Sequence, residues 1–170
     1  MEDLICCVIG HRFIKRTEEL IQRLTELFID LIENRKVSVF LFGSRSQFND
    51  LCLEVITELR KRYPDINRVY VRAEYDYDDE TMAYLLKYYE ETYYCPEIKN
   101  AKSKAYVIRN RHMIDKSDIC VFYYNGTDVI LKRATKKVKA HLVNSGTKLA
   151  LDYAKDKNKE IINVYDINHE

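Results

Sequence analysis

Short apolar runs alternate with segments of helical periodicity along most of this chain. Residues 4–9 and 37–42 are almost uninterrupted apolar runs, and a glycine follows each. Such runs are typical of strands that are buried on both faces of a sheet. Between them, residues 20–32 carry apolar side chains at spacings of three and four, which predicts an amphipathic helix. Strands and helices that alternate in this way form a parallel sheet with helices packed against it.

The same alternation continues to the end of the chain. Further strands are predicted at residues 68–73, 119–124 and 161–165, and further helices at residues 48–59, 80–94, 103–116 and 145–157. Right-handed crossovers leave few topologies for this order of elements. We therefore predict an α/β fold: one Rossmann-like domain over residues 1–170, with a five-stranded, mainly parallel sheet of order 3-2-1-4-5 and helices on both faces.

Composition restricts the class of partner and the compartment. The net charge of +1 gives no general attraction to nucleic acid or to a membrane. Four of the five cysteines lie in apolar periodic segments and no C-x-x-C pair occurs, so we interpret them as reduced core residues of a cytoplasmic protein. The apolar run near the start is too short for a signal peptide or a membrane span. No cofactor is predicted.

Three of the four glycines stand where an apolar run gives way to a helical segment. Gly10 ends the first run, Gly43 ends the second, and Gly146 opens the last long helix. A tight turn needs either a positive φ or a close backbone approach, and glycine allows both. Such turns place the N–H groups of a helix N-terminus beside the crevice in which α/β proteins hold phosphates.

Cationic and hydroxyl side chains follow the first two glycines. His11 and Arg12 leave the first strand, and Ser44 and Arg45 leave the second. A guanidinium binds phosphate through two hydrogen bonds, so both turns are candidate phosphate contacts. The alternative for the first is a tight turn with exposed side chains, in which His11 is an orienting hydrogen-bond donor rather than a base. The alternative for the second is a serine that caps the following helix.

The last glycine begins a candidate anion-binding helix. Lys148 lies in its first turn, where the helix dipole disfavours a cation, and a bound anion would remove that conflict. Arg109 is a further candidate contact, with a surface ion pair to Asp115 as the alternative. The predicted ligand-binding residues are Gly10, His11, Arg12, Gly43, Ser44, Arg45, Arg109, Ser145, Gly146, Thr147 and Lys148.

Taken in order, these places resemble the SLOG superfamily, the Rossmann-like group of the DNA-processing protein A and the "lonely guy" cytokinin-activating enzymes. Gly10-His11-Arg12 and Gly43-Ser44-Arg45 are similar to its two glycine turns. Arg109 through Met113 is similar to the lonely-guy arrangement of arginine, three residues and methionine, and Ser145-Gly146-Thr147 to the end of its phosphate loop. The resemblance implies a nucleotide-derived ligand that is held by its phosphate.

The residues after the last turn depart from the catalytic pattern of that family. Leu149 or Ala150 stands where the lonely-guy enzymes carry a glutamate, and neither side chain can do acid–base work. Glu74 and Asp76 follow the third strand at the correct end of the sheet, and the alternative for Glu74 is a solvated loop acid. Asp115 and Asp118 precede the fourth strand and are expected at the amino end, away from the ligand crevice. No catalytic residue is predicted. The sequence favours a sensor or sequestering module over the alternative, a phosphoribohydrolase or N-glycosidase that acts on a nucleoside monophosphate.

Two segments have no place in the alternating pattern. Residues 75–94 hold seven tyrosines, which would cover the sheet, form a homo-oligomer contact through Tyr84–Tyr94, or stack on a nucleobase. Residues 132–141 are strongly basic and are interpreted as a solvated loop, with single-stranded DNA as an alternative partner. His112 and His141 have no metal-ligand spacing to a cysteine or carboxylate, so no metal site is predicted.

Overall fold

Strands and helices alternate along the chain in a computed structural model that describes residues 2–74, 78–99 and 101–166. The strands are β1 (Leu4–Gly10), β2 (Val37–Phe42), β3 (Asn67–Arg72), β4 (Glu91–Tyr94), β5 (Ile119–Tyr123), β6 (Val129–Lys132), β7 (His141–Asn144) and β8 (Glu160–Asn163). The helices are α1 (Glu18–Glu33), α2 (Gln47–Leu59), α3 (Asp79–Tyr88), α4 (Ala105–Lys116) and α5 (Gly146–Asp156). Two single 3-10 turns, Pro96–Ile98 and Lys102–Lys104, separate β4 from α4.

Six parallel strands form the main sheet in the order β4-β3-β2-β1-β5-β8. Helices α1, α2 and α3 bury their apolar faces against one side of it, in a core that includes Phe28, Phe40 and Phe48. Helices α4 and α5 cover the other side, in a core that includes Met113 and Phe122. The predicted α/β class, the parallel pairing and the inner order 3-2-1-4-5 are confirmed.

The predicted number of strands is wrong, because the segment 80–94 is not one helix. Helix α3 ends at Tyr88, and β4 then adds a sixth strand at the sheet edge beside β3. Glu90 fixes the change of direction, since its carboxylate accepts hydrogen bonds from the backbone N–H and the guanidinium of Arg68. The predicted helix 80–94 ends with Tyr93 and Tyr94, which favour a strand and lie in β4. Tyr75 and Tyr77 lie outside the described residues.

Residues 133–140 of the basic segment form an exposed loop, as predicted, and this loop is the tip of a hairpin that was not predicted. Strands β6 and β7 pair antiparallel there and form a separate two-stranded hairpin, with Lys132 opposite His141. Every residue of β6 is exposed. The hairpin lies between β5 and α5, and its second strand leads directly into the predicted anion loop at Ser145.

The cysteines and the helix starts follow their predictions. All five cysteines are buried and free of disulfides, as expected for reduced core residues. Thr17 caps α1, where its hydroxyl accepts a hydrogen bond from the N–H of Leu20 at 3.1 Å. Among the described residues, no helix combines the length and the apolar character that crossing a membrane requires.

Candidate functional site at the carboxyl edge of the sheet

The chain connections change direction between strands β1 and β5, which lie side by side at the centre of the sheet. Gly10, at the end of β1, stands opposite Tyr123, at the end of β5. Helix α1 follows β1 on one face of the sheet, and α5 follows β5 on the other. Open parallel sheets bind ligands in the crevice outside such a switch point. The sequence-predicted turns follow strands that end at this edge.

Packing explains the first glycine turn. A Cβ on Gly10 would lie 2.3–2.7 Å from three atoms of the Phe48 side chain, so glycine lets α2 approach the sheet. His11 is buried, and its Nε2 accepts a hydrogen bond from the N–H of Asn125 at 3.1 Å. Burial lowers the pKa of His11, which favours the neutral ring that such an acceptor requires. His11 therefore holds the start of the hairpin segment as an acceptor, whereas the sequence suggested a donor.

Arg12 is the exposed cation of this turn. Its carbonyl oxygen accepts the N–H of Gln47 at 2.9 Å, which ties the turn to the first residue of α2. Its guanidinium lies 5.7 Å from the ring centroid of Phe13. In the described part of the chain no carboxylate forms an ion pair with Arg12, so its charge is available to an anion.

The second glycine turn is closed by a side chain that the sequence analysis did not single out. The carboxamide oxygen of buried Asn49 lies 3.3 Å from the N–H of Gly43 and 3.5 Å from the N–H of Ser44. Ser46 caps α2, and its hydroxyl accepts the N–H of Asn49 at 3.0 Å. The serine cap is therefore present. The N–H groups of Gly43 and Ser44 are already bonded, and the hydroxyl of Ser44 donates to the Oγ of Ser46 at 3.0 Å. The side chain of Arg45 is therefore the better candidate contact for a ligand.

Gly43 also makes room for helix α4. A Cβ on Gly43 would lie 2.5 Å from the Sδ of Met113 and 2.8 Å from the Nε of Arg109. Arg109 is buried, its Nε and Nη2 each lie 3.3 Å from the Oδ1 of Asn110, and its guanidinium lies over the ring of Tyr106. The structure thus brings together two of the predicted residues, Gly43 and Arg109, and the Met113 that the resemblance paired with the arginine.

Helix α5 keeps free donors at its start. Ser145 is its cap and accepts the N–H of Lys148 at 2.9 Å. Among the described residues, no acceptor is bonded to the N–H groups of Gly146 and Thr147, and nothing lies within 4 Å of a Cβ built on Gly146. The charge of Lys148 is instead met by Asp152, at 2.7 Å, so a bound anion is not needed to balance it. The anion-binding capacity of this helix lies in its backbone.

A cavity of about 340 Å³, called the tyrosine cavity below, opens beside the second turn, between α2 and α3. Ser44 and Arg45 line it together with the rings of Tyr84 and Tyr88, whose centroids are 5.0 Å apart. Tyr84 is 56% exposed, so its ring is accessible from solvent. A cavity of this size is at the lower end of the range that holds small ligands. The turns at Gly10 and Gly146 and the side chain of Arg109 lie outside this lining.

Two carboxylates line the same cavity, and the sequence analysis singled out neither. Asp50 follows Asn49 on α2, and Glu80 lies in the first turn of α3. Burial raises the pKa of Asp50, as does the charge of Glu54, while the nearby Arg45 lowers it. Their sequence positions resemble ordinary helix-start acids, so only the placement of α3 against α2 reveals them.

The acids that the sequence analysis did consider have structural partners. Glu74 accepts a hydrogen bond from the hydroxyl of Tyr106 at 2.6 Å. Asp115 accepts one from Tyr153 at 2.8 Å, and Asp118 accepts the N–H of Ile5 at 2.9 Å, at the amino edge of the sheet. Asp76 lies outside the described residues. None of these described contacts places a carboxylate in the tyrosine cavity.

A second polar cluster lies beside the edge strand β4. Cys95 donates a hydrogen bond to the Oε2 of Glu97 at 3.1 Å, and the Nδ1 of His112 lies 2.8 Å from the same oxygen. Burial raises the pKa of the Cys95 thiol to about 11, and the hydrogen bond to Glu97 acts in the same direction. The adjacent Cys95-Pro96-Glu97 was the sequence signal for this cluster, but its histidine comes from the next helix.

Comparison with known proteins adds no identity to these observations. No protein-family model matches the chain, and no curated protein is significantly similar to it in sequence.

Proposed function

We propose that this chain binds a nucleotide or a nucleotide-derived phosphate ligand at the carboxyl edge of its sheet, as a sensor or sequestering module. The observation that carries the proposal is the cavity that joins Arg45 and Ser44 to the rings of Tyr84 and Tyr88. Aromatic rings stack on nucleobases, and a guanidinium binds phosphate through two hydrogen bonds. The order and type of the glycine turns, which resemble those of the SLOG superfamily, support the same ligand class.

Each wall of the cavity suits one part of such a ligand. The exposed face of Tyr84 suits the base, and Arg45 at the second turn suits the phosphate. The carboxylates of Asp50 and Glu80 are acceptors for ribose hydroxyls, the role that acidic residues have in dinucleotide-binding folds. A cavity with only cations would favour any polyanion. This mixture of charges instead favours a ligand that carries both a phosphate and hydrogen-bond donors such as ribose hydroxyls.

The start of α5 provides a further anion position at the same edge. The free N–H groups of Gly146 and Thr147 point out of the helix N-terminus, where the dipole favours negative charge. This arrangement supports a ligand with more than one phosphate, such as a dinucleotide or a cyclic oligonucleotide. Gly146→Ala adds a methyl group to the open space at this position and is expected to weaken that ligand class selectively.

A thermal-shift panel of nucleoside monophosphates, dinucleotides and cyclic nucleotides tests the proposal. A ligand at 100 times its Kd stabilises the folded state by about 2.7 kcal/mol, which raises the Tm of a chain of this size by roughly 5–11 °C. Arg45→Ala and Tyr84→Ala should reduce the shift. Lys61→Ala, an exposed cation at the opposite end of α2, and Leu86→Ala, an exposed residue of α3 outside the cavity, are the matched controls. A panel without any shift contradicts the proposal.

The two carboxylates in the cavity favour one second candidate, a nucleoside-monophosphate N-glycosidase. In that reaction water adds across the bond between the base and the ribose, so a positioned carboxylate is required. Asp50 is the stronger candidate, because it lines the cavity together with Arg45 and burial raises its pKa, which favours a proton donor. Release of free base from a bound monophosphate, lost in Asp50→Asn while binding is retained, would favour this enzyme over the binding module.

A further inference from the structure

Cys95, Glu97 and His112 form a cluster of three metal-ligand types. Cys95 directly follows strand β4, Glu97 lies in the 3-10 turn Pro96–Ile98, and His112 lies on α4. One donor atom from each side chain lies within 4.8 Å of the other two. We propose that this cluster binds a divalent transition-metal ion of the zinc class, with three protein ligands and a fourth position open to water. The site is independent of the proposed nucleotide cavity, whose lining contains none of these residues.

The distances suit a shared ion after a small adjustment. The Sγ of Cys95 lies 3.1 Å and the Nδ1 of His112 lies 2.8 Å from the Oε2 of Glu97. Sulfur, nitrogen and oxygen ligands of a tetrahedral zinc ion are about 3.4–3.6 Å apart, given bond lengths of about 2.0–2.3 Å. Glu97 has a 55% exposed side chain on a short turn, so it can move outward by about half an ångström to meet this spacing.

The orientation of His112 supplies an independent observation. Its side chain is only 3% exposed, yet its Nδ1 makes no hydrogen bond to any described residue. The Oε2 of Glu97 lies 2.8 Å from this nitrogen, so a carboxylate faces it, but the contact does not have the geometry of a hydrogen bond. Two atoms that bind one metal ion make such a short contact without a hydrogen bond, because each is directed at the ion and not at the other atom. A buried imidazole nitrogen without a hydrogen bond otherwise costs about 1–3 kcal/mol.

Tyr93 completes the arrangement that metal-binding histidines require. Its hydroxyl lies 2.7 Å from the Nε2 of His112, and the two rings pack edge to face at 5.6 Å. Histidine ligands commonly donate their second ring N–H to an oxygen, which fixes the ring and selects the tautomer. With the proton on Nε2 and donated to Tyr93, the Nδ1 lone pair faces Cys95 and Glu97.

Charge and access agree with a divalent ion. A thiolate and a carboxylate together neutralise a 2+ charge, and the neutral imidazole adds none, so the loaded site would not bury a net charge. Cys95 is fully buried while Glu97 reaches solvent, so the ion can enter and a water can occupy the fourth position from the glutamate side. Binding would release the thiol proton of Cys95. The mixture of sulfur, nitrogen and oxygen ligands favours zinc over magnesium or calcium.

This inference departs from the sequence-based expectation of no metal site. That expectation considered only the spacing of histidines to nearby cysteines and carboxylates. In the fold, β4 lies at the sheet edge and places Cys95 on the face of the sheet that α4 covers. Sequence spacing alone does not show this proximity. The preceding segment 80–94 was interpreted as one helix, so the strand that leads into Cys95 was not predicted.

Cobalt substitution tests the site on the untagged, chelator-treated chain. Co²⁺ bound by Cys95 should give a sulfur-to-metal charge-transfer absorption, together with the visible bands of a tetrahedral ion, saturating at one equivalent. Zn²⁺ should displace these bands, and calorimetry should give the same stoichiometry. Absence of the charge-transfer band, or absence of saturable one-equivalent zinc binding, would overturn the proposal.

Variants distinguish this cluster from other metal-binding groups. Cys95→Ser and His112→Gln should abolish the charge-transfer band or the binding, and Glu97→Ala should weaken binding at least tenfold. Tyr93→Phe should weaken it by about 10–100-fold, as second-layer partners of ligating histidines do. His141→Gln, an exposed histidine on β7, is the control and should leave binding unchanged. If the variants at the buried Cys95 and His112 fail to fold, Glu97→Ala still tests the site, because Glu97 is exposed. An unchanged zinc affinity in folded Glu97→Ala would refute the assignment.

Discussion

Replacing Gly10 by alanine should destabilise the fold by an amount that the structure sets. The added Cβ would lie 2.3 Å from the Cδ2, 2.5 Å from the Cγ and 2.7 Å from the Cβ of Phe48. A change of rotamer moves the ring, but the Cβ of Phe48 moves only with the backbone of α2. Overpacking of a core costs about 1–3 kcal/mol, and because no rotamer change moves the Cβ of Phe48, we expect a cost of about 3 kcal/mol.

Urea unfolding followed by circular dichroism measures this cost directly. In thermal unfolding of the same variant, a loss of about 3 kcal/mol should lower the Tm by roughly 6–12 °C for a chain of this length. Gly146→Ala is the matched control, because its Cβ meets no atom within 4 Å and its site is the first residue of a helix. We expect its stability to be unchanged or raised by up to about 1 kcal/mol.

A double variant shows whether the cost arises at the named contact. Phe48→Ala removes the Cγ and the Cδ2 beside Gly10, so Gly10→Ala should cost less in that background than in the wild type. A loss below about 0.5 kcal/mol for Gly10→Ala alone, which is the range of neutral surface changes, would refute the packing explanation. Equal losses in the two backgrounds would do the same.

Three further predictions concern polar side chains that hold a turn or a strand in place. Asn49→Ala removes the acceptor of the turn after β2 and should cost about 1–3 kcal/mol in urea unfolding, with an unchanged result contradicting that role. Burial favours a higher pKa for Glu90, but the hydrogen bonds and charge of Arg68 lower that pKa below its usual value. The stability that ionised Glu90 adds is therefore present above pH 4.5 and is lost as the pH falls further. Glu90→Gln should remove this pH dependence of the unfolding free energy. Burial lowers the pKa of His11, so the stability that the neutral ring adds is present above about pH 6.5 and lost below it. A His11→Gln variant whose unfolding free energy depends on pH as the wild type's does would contradict this.

Strong periodicity made most of the fold predictable. The two fully apolar runs predicted β1 and β2, and the helical spacing of apolar residues predicted α1 and α2. The segment 80–94 was misinterpreted because a tyrosine-rich sequence satisfies helical and strand spacing equally well. Its division depends on the pairing of Glu90 with Arg68, a contact between residues that are distant in sequence.

The candidate site was predictable only in its outline. The glycine turns indicated the correct edge of the sheet, but the reasons for Gly10 and Gly43 are contacts with Phe48 and Arg109 that spacing does not reveal. Neither glycine has a positive φ; of the described residues, the glycine with one is Gly126, in the turn before β6. Side chains contributed by neighbouring helices, such as those of the tyrosine cavity, become visible only when the helices are placed.

The central claim is that Arg45 recognises the phosphate of a nucleotide held in the tyrosine cavity. Calorimetric titration of a panel nucleotide and of its nucleoside, into the wild type and Arg45→Ala, tests this claim directly. We expect Arg45→Ala to weaken the binding of the nucleotide by about tenfold or more, the value of a hydrogen bond to a charged group, and to leave the affinity for the nucleoside unchanged. Equal losses for both ligands, or an unchanged nucleotide affinity, would contradict it.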